Sequence, residues 1–135
     1  DRFDADSWPT SAGQGALAVE VRADSPVAAE IAAITDADAE ITALWERAVL
    51  RLLEAGCAAP VGISARRAPD AVTLIAEVYA LDGARTVRVA HSADPAELAT
   101  AAGRAAQAGV VVTALMDAGA AELAELGPRP AGDPR

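Results

Sequence analysis

Val72-Thr73-Leu74-Ile75-Ala76-Glu77-Val78-Tyr79-Ala80-Leu81-Asp82-Gly83-Ala84-Arg85-Thr86-Val87-Arg88-Val89 reads as two strands joined by a tight turn. The first run is rich in β-branched and aromatic side chains, which suit a pleated surface. Asp82-Gly83 is the kind of pair that tolerates the positive φ of a hairpin turn. Arg85 to Val89 then alternates polar and apolar residues, as a strand with one face in water must. Working outward, Pro60 bars helix on the upstream side. Val61 to Arg66 supplies a third strand before the turn at Pro69-Asp70. The sequence therefore predicts three antiparallel strands.

Helical periodicity flanks this sheet. From about Asp38 to Ala55, the residues Ile41, Leu44, Trp45, Ala48, Val49, Leu52 and Leu53 recur at i, i+3, i+4 and i+7, while Glu40, Arg47, Arg51 and Glu54 occupy the opposite face. Gly56 follows as a C-terminal stop. Downstream, Asp94-Pro95-Ala96-Glu97 combines a cap, a proline at the first helical position and a glutamate three residues after the cap. The helix it opens is expected to run to Met116 or Asp117, with Gly103 and Gly109 each costing it about 1 kcal/mol relative to alanine, and to end at Gly119. A further turn or two fits Ala121 to Leu126. Helix, strand, strand, strand, helix over residues 37 to 118 predicts an α+β fold, a small sheet with both helices on one face.

The first 35 residues do not fit inside that unit. Ser11 to Gly15 is too glycine-rich for a helix and leads into Ala16-Leu17-Ala18-Val19-Glu20-Val21-Arg22, which reads as a strand. Ser25-Pro26 then opens a short helix to about Thr35. The expected partition is a strand and helix of an upstream domain over 1–35, a domain over 36–126, and a disordered Pro/Gly-rich tail over 127–135. The opening at Asp1 rather than Met, straight into dense pattern, suggests a chain that begins in mid-protein.

Composition narrows the classes of function. Hydrophobic residues make up 53% of the 135 and aromatic ones only 3%, so the core must be built of many small aliphatic contacts. A formal net charge of −9 and the lack of a basic tract argue against a nucleic-acid partner. No apolar run approaches the ~20 residues of a membrane span. One cysteine cannot form an internal disulfide, and no His or Cys spacing suits a metal, so a reducing cytosol is expected.

Few residues stand out as carriers of chemistry. Gly13-Gln14-Gly15 lacks the third glycine of a dinucleotide fingerprint and is read as a turn. His91, the one histidine, has no nucleophile beside it and is expected to end a strand in solvent. Arg22, Arg47, Arg51, Arg66 and Arg67 have the fork geometry that binds carboxylates, although most surface arginines bind nothing. Cys57 admits two readings. Past a helix C-terminus it faces the negative end of the macrodipole, which disfavours a thiolate and suits a buried structural cysteine. In a Gly-Cys-x-x-Pro loop behind a left-handed glycine, it would instead be displayed.

Three runs together resemble porphobilinogen deaminases, also called hydroxymethylbilane synthases. They are Gly13-Gln14-Gly15-Ala16-Leu17-Ala18-Val19-Glu20-Val21-Arg22, Glu46-Arg47-Ala48-Val49-Leu50, and Leu53-Glu54-Ala55-Gly56-Cys57-Ala58-Ala59-Pro60-Val61-Gly62. The likeness covers about residues 9 to 126 and implies the C-terminal portion of a cytosolic, monomeric transferase. That enzyme joins porphobilinogen units, with release of ammonia, into the linear tetrapyrrole hydroxymethylbilane. The resemblance implies that Cys57 carries a dipyrromethane cofactor through a thioether. It implies that Arg22 and Arg47 bind pyrrole carboxylates, and that Gln14 lies near the cofactor. Arg51, Arg66 and Arg67 fall on no motif of the family.

The same resemblance sets limits. The family's catalytic aspartate and most of its carboxylate-binding arginines belong to N-terminal domains upstream of the Gly-Gln-Gly strand, so the chain alone is expected to be inactive, with those missing domains as its partners. Trp45 stands where the family has a small residue. A stand-alone, non-catalytic binding or structural module derived from this domain is the competing expectation.

Overall fold

A computed structural model describes residues 4–55, 59–124 and 126. The α+β fold is as the sequence predicts. Three strands, β1 (Val61–Arg67), β2 (Val72–Tyr79) and β3 (Thr86–Ala93), form an antiparallel sheet in the order β1-β2-β3. The register sets Leu74 opposite Ala65 and His91, and Ala76 opposite Ile63 and Val89. Because side chains alternate between faces, Ile63, Val72, Leu74, Ala76, Val78 and Ala93 share one face and are buried.

Two long helices cover that face. α2 (Ala37–Leu52), preceded by the short α1 (Ala28–Ala33), packs on β1, while α4 (Ala101–Asp117) packs on β3 and against α2. α2 begins where the Asp36 carboxylate accepts the N–H groups of Asp38 and Ala39, satisfying donors that a helix start leaves orphaned. Trp45, Val49 and Leu53 meet Val111 and Leu115 in the resulting core. Burying a side chain of this size contributes about 1.5–3 kcal/mol.

Five expectations change. The strand over 16–22 does not form: its backbone pairs with no strand among the described residues, and Leu17 and Val19 are 96% and 60% exposed. The residues suit a strand, but a strand needs a partner to bond its edge. Ser25 does not cap α1, which begins behind Val27 without a side-chain cap; the Ser25 carbonyl instead accepts the Ala28 N–H in a turn. α2 ends at Leu52, with Glu54 rather than a glycine entering positive φ, at 46°. Gly56, the expected stop, lies outside the described residues, as does the expected tail.

The fourth change concerns the last helix. Its start is the capping box that the sequence predicts, between Asp94 and Glu97, yet α3 (Pro95–Leu98) is separate from α4. Thr100 restarts the helix by accepting the Gly103 N–H on its hydroxyl. Gly103 is needed there, because a Cβ would overlap the Glu97 carbonyl. Gly119, at φ 91°, closes α4 and leads into a 3-10 turn over Ala120–Glu122, as expected. His91 does not end a strand in solvent. It lies within β3, donates a 2.8 Å hydrogen bond from Nε2 to Oε1 of Gln107 on α4, and meets the Trp45 ring edge-on. The buried Trp45 Nε1 has no hydrogen-bond partner among the described residues.

The two α4 glycines should therefore respond oppositely to alanine. Gly103→Ala is expected to destabilise by about 1–3 kcal/mol through overpacking. Gly109→Ala, whose Cβ would meet nothing within 4 Å, should stabilise by up to about 1 kcal/mol. Urea denaturation of the two variants checks the contrast.

Candidate functional site

The amino-terminal segment is fastened to the outer edge of β1. Beyond that edge, no further strand among the described residues takes up the β1 amides. The Ile63 N–H donates to the Thr10 carbonyl at 2.7 Å, and the Ala65 N–H donates to Glu46 Oε1 at 2.6 Å. The other oxygen of Glu46 accepts the Gly13 N–H, also at 2.6 Å. One buried carboxylate on α2, 7% exposed, thus joins helix, sheet edge and the Gly13-Gln14-Gly15 turn. Pro9 is pressed close to Gly62, where a Cβ would stand 2.5 Å from the Pro9 carbonyl oxygen. Gly13 and Gly15 adopt φ of 75° and 86°, which only glycine enters without strain.

Burial raises the Glu46 pKa above its ordinary value of 4.5, while the two backbone donors pull it down again. Sequence reasoning gave this residue no role. The signal was available: Glu46 stands three residues before Val49 and seven before Leu53, both fully buried, so a carboxylate occupies apolar-face spacing.

A strap continues from this fastening. Asp6 pairs with Arg66 at 2.9 Å, and its carbonyl accepts from Arg88, which also pairs with Glu77 at 2.9 Å. Arg67 pairs with Asp38 at 3.4 Å and donates to carbonyls of the turn that follows β1. Arg66 and Arg67 therefore hold the structure together.

Two clefts are lined by the described residues nearest Cys57 in the chain, Ala55 for one and Ala59 for the other; Cys57 itself is outside the described residues. Gln14 shares one, of about 590 Å³, with Trp8, Pro60, Gly62 and Tyr79. Burial and the neighbouring Glu77 raise the Tyr79 pKa above 10.0, so its phenol stays protonated at neutral pH. Arg47 lines the other, of about 850 Å³, with Arg51, Glu54, Ala55 and Arg104. Arg22 lines neither; it is exposed and pairs with Asp24 at 2.5 Å. Of the four residues singled out in sequence, Arg47 shares a cleft with Ala55 and Gln14 shares another with Ala59, Arg22 stands apart, and Cys57 is not described. No group of three or more His, Cys, Asp and Glu is placed to hold a metal among the described residues, and no described helix is long and apolar enough to cross a membrane.

A sequence model described as "Porphobilinogen deaminase, C-terminal domain" matches residues 40–116, from the start of α2 to the end of α4. The chain belongs to the porphobilinogen deaminase family. Among relatives named porphobilinogen deaminase, that of Leifsonia xyli is 42% identical over 134 residues, spanning 93% of this chain and 41% of the relative. That of Corynebacterium diphtheriae is 48% identical over 96 residues, 70% of this chain and 33% of the relative. That of Cutibacterium acnes is 46% identical over 125 residues, 84% and 37%. The chain thus spans about two fifths or less of the curated relatives it matches. The porphobilinogen deaminase domain model takes in Glu46, Arg47 and Cys57, whereas Gln14 and Arg22 lie upstream of it.

Replacing Glu46 tests the fastening. Glu46→Ala would strand the Gly13 and Ala65 amides, and a lost stability of about 1–3 kcal/mol for each buried unpaired donor is expected. The sign of the pH effect follows from the raised pKa. The folded protein binds this proton more tightly than the unfolded chain does, so the group's contribution is full below pH 4.5 and declines as pH rises through the folded pKa. Glu46→Gln has no proton to lose and should abolish that decline in denaturation curves taken across the range.

Proposed function

We propose that this chain is the cofactor-bearing part of a cytosolic porphobilinogen deaminase, a transferase that joins four porphobilinogen units into hydroxymethylbilane with release of ammonia in tetrapyrrole biosynthesis. The observation that carries the reading is the family match over residues 40–116, which contains the Glu46-Arg47 motif and the Gly56-Cys57 loop in one stretch. Residues 36–126 would be the C-terminal domain, with 16–35 completing an upstream domain of the same polypeptide. That placement gives a partner to the extended and exposed segment around Leu17 and Val19.

Cys57 is proposed as the covalent anchor, through a thioether, of a dipyrromethane. That group supplies the primer on which the pyrrole chain is built. The donor set beside the loop suits it: Ala55, two residues before Cys57, lines the cleft of Arg47, and Ala59, two residues after it, lines that of Gln14. Arg47 is exposed and has no carboxylate partner among the described residues, so its fork is free to bind the acetate and propionate groups of a pyrrole. Gln14 brings an amide that can donate and accept at the mouth of its cleft. Arg22 would have to exchange Asp24 for a ligand carboxylate, a change that exposed ion pairs make at little cost. Proton transfer at the pyrroles belongs, in this reading, to residues of the upstream domains.

A mass spectrum of the intact enzyme tests the anchor. The peptide containing Cys57 should carry a dipyrromethane adduct, absent from Cys57→Ser; an active enzyme with unmodified Cys57 would refute the reading. Arg47→Gln should lower kcat/KM by about tenfold or more, as expected for a lost charge-assisted pair, with the adduct still present.

A further inference from the structure

The described arginines divide into two sets. Arg22, Arg66, Arg67, Arg85 and Arg88 each pair with a carboxylate. Arg47, Arg51 and Arg104 pair with none among the described residues, and all three line the cleft between α2 and the start of α4. In a protein of net charge −9, with acids abundant enough to satisfy every surface cation, this concentration of unpaired guanidinium groups is selective. Glu54 is the one carboxylate on the wall, and it joins none of them in an ion pair.

Ordinary structural roles account for only part of the arrangement. Arg51 in the last turn of α2 complements the negative end of that helix. Arg104 lies in the first turn of α4, where a cation opposes the macrodipole. It is held by Nη1, which donates to the Leu98 and Ala99 carbonyls at 2.8 and 3.2 Å, leaving Nε and Nη2 unengaged by any described residue. Arg47 and Arg51 stand one turn apart on α2, facing the same space. A carboxylate there would meet two forks from α2, a third from α4, and the positive end of α4. Leu44 and Ala101 supply an apolar wall for the body of the ligand.

We propose that Arg51 and Arg104, which lie on no recognised motif, join Arg47 to form a cleft, bounded by Ala55, that binds the carboxylates of the pyrroles. This rests on the proposed function and adds to it where the acidic side chains are held. Arg51 and Arg104 are positioning residues: they touch the carboxylates, and no proton or bond change runs through them.

Arginine-selective labelling with phenylglyoxal, mapped by peptide mass, tests it in the intact protein that carries this chain. Cys57→Ser is used so that no covalent group occupies the cleft beforehand. The probe is a pyrrole bearing acetate and propionate but a methyl in place of the aminomethyl group, which cannot be polymerised. Saturating probe should slow labelling of Arg51 and Arg104 about tenfold, the change expected for charge-assisted contacts, and leave Arg85 at its own rate; the dimethyl ester should protect neither. Arg51→Gln should raise the probe concentration that half-protects Arg104 about tenfold. Unchanged labelling of Arg51 and Arg104, equal protection by the ester, or an Arg51→Gln protein that protects Arg104 as before overturns the cleft. The Cys57 peptide of the wild-type digest reports separately: an adduct without protection sinks the cleft alone, and protection without an adduct sinks the anchor while keeping the cleft.

Discussion

A single carboxylate ties together the parts of this molecule that sequence keeps far apart. Glu46 reaches from α2 to the Ala65 amide on the edge of β1 and to the Gly13 amide in the turn before the extended segment. Both bonds are short, and the group is nearly dry, so each is stronger than a solvated equivalent and more costly to leave unmade. Without it, the Ala65 amide on the edge of β1 and the Gly13 amide in the turn bearing Gln14 would lose their partner, while the Thr10 carbonyl would still hold Ile63. The raised pKa of Glu46 records the desolvation cost that the two amides offset.

The position of that tie decides what lies near the Cys57 segment. Glu46 precedes Arg47 on α2, so the residue that turns inward to hold the sheet edge is followed at once by one that turns outward to the arginine cleft. Gln14 follows Gly13 in the same way, taken from a tethered backbone into the second cleft. In the proposed reading this makes the domain an anchor, with the proton transfers performed by residues of other domains of the enzyme.

Much of the fold was legible because its determinants are local. The Asp82-Gly83 turn, the alternation from Arg85 and the Asp94 capping box each act within a few residues, and each formed where expected. The failures were non-local. The run at 16–22 reads as a strand, but strand pairing depends on a partner that the segment does not find among the described residues. The break between α3 and α4 arises because Thr100 competes for the Gly103 amide while the Glu97 carbonyl fills the space beside it, a clash that no window of periodicity reports. Glu54 ends α2 in a left-handed conformation that sequence would assign to glycine.

The candidate site was legible to a different degree. Resemblance singled out Arg47 and Gln14, which line one cleft each, and Arg22, which pairs with Asp24 away from both clefts. It passed over Glu46, whose motif neighbour took the attention, and Arg104, which reaches the cleft only because α4 restarts at Thr100. The account stands or falls on whether Glu46 fastens the turn to the sheet. Amide hydrogen exchange, resolved by residue, measures this directly. Gly13 and Ala65 should be protected in the wild type and lose protection together in Glu46→Ala, while Leu74 and Ala76 at the sheet centre keep theirs. A Gly13 amide that exchanges in the wild type as fast as that of exposed Leu17 would contradict it.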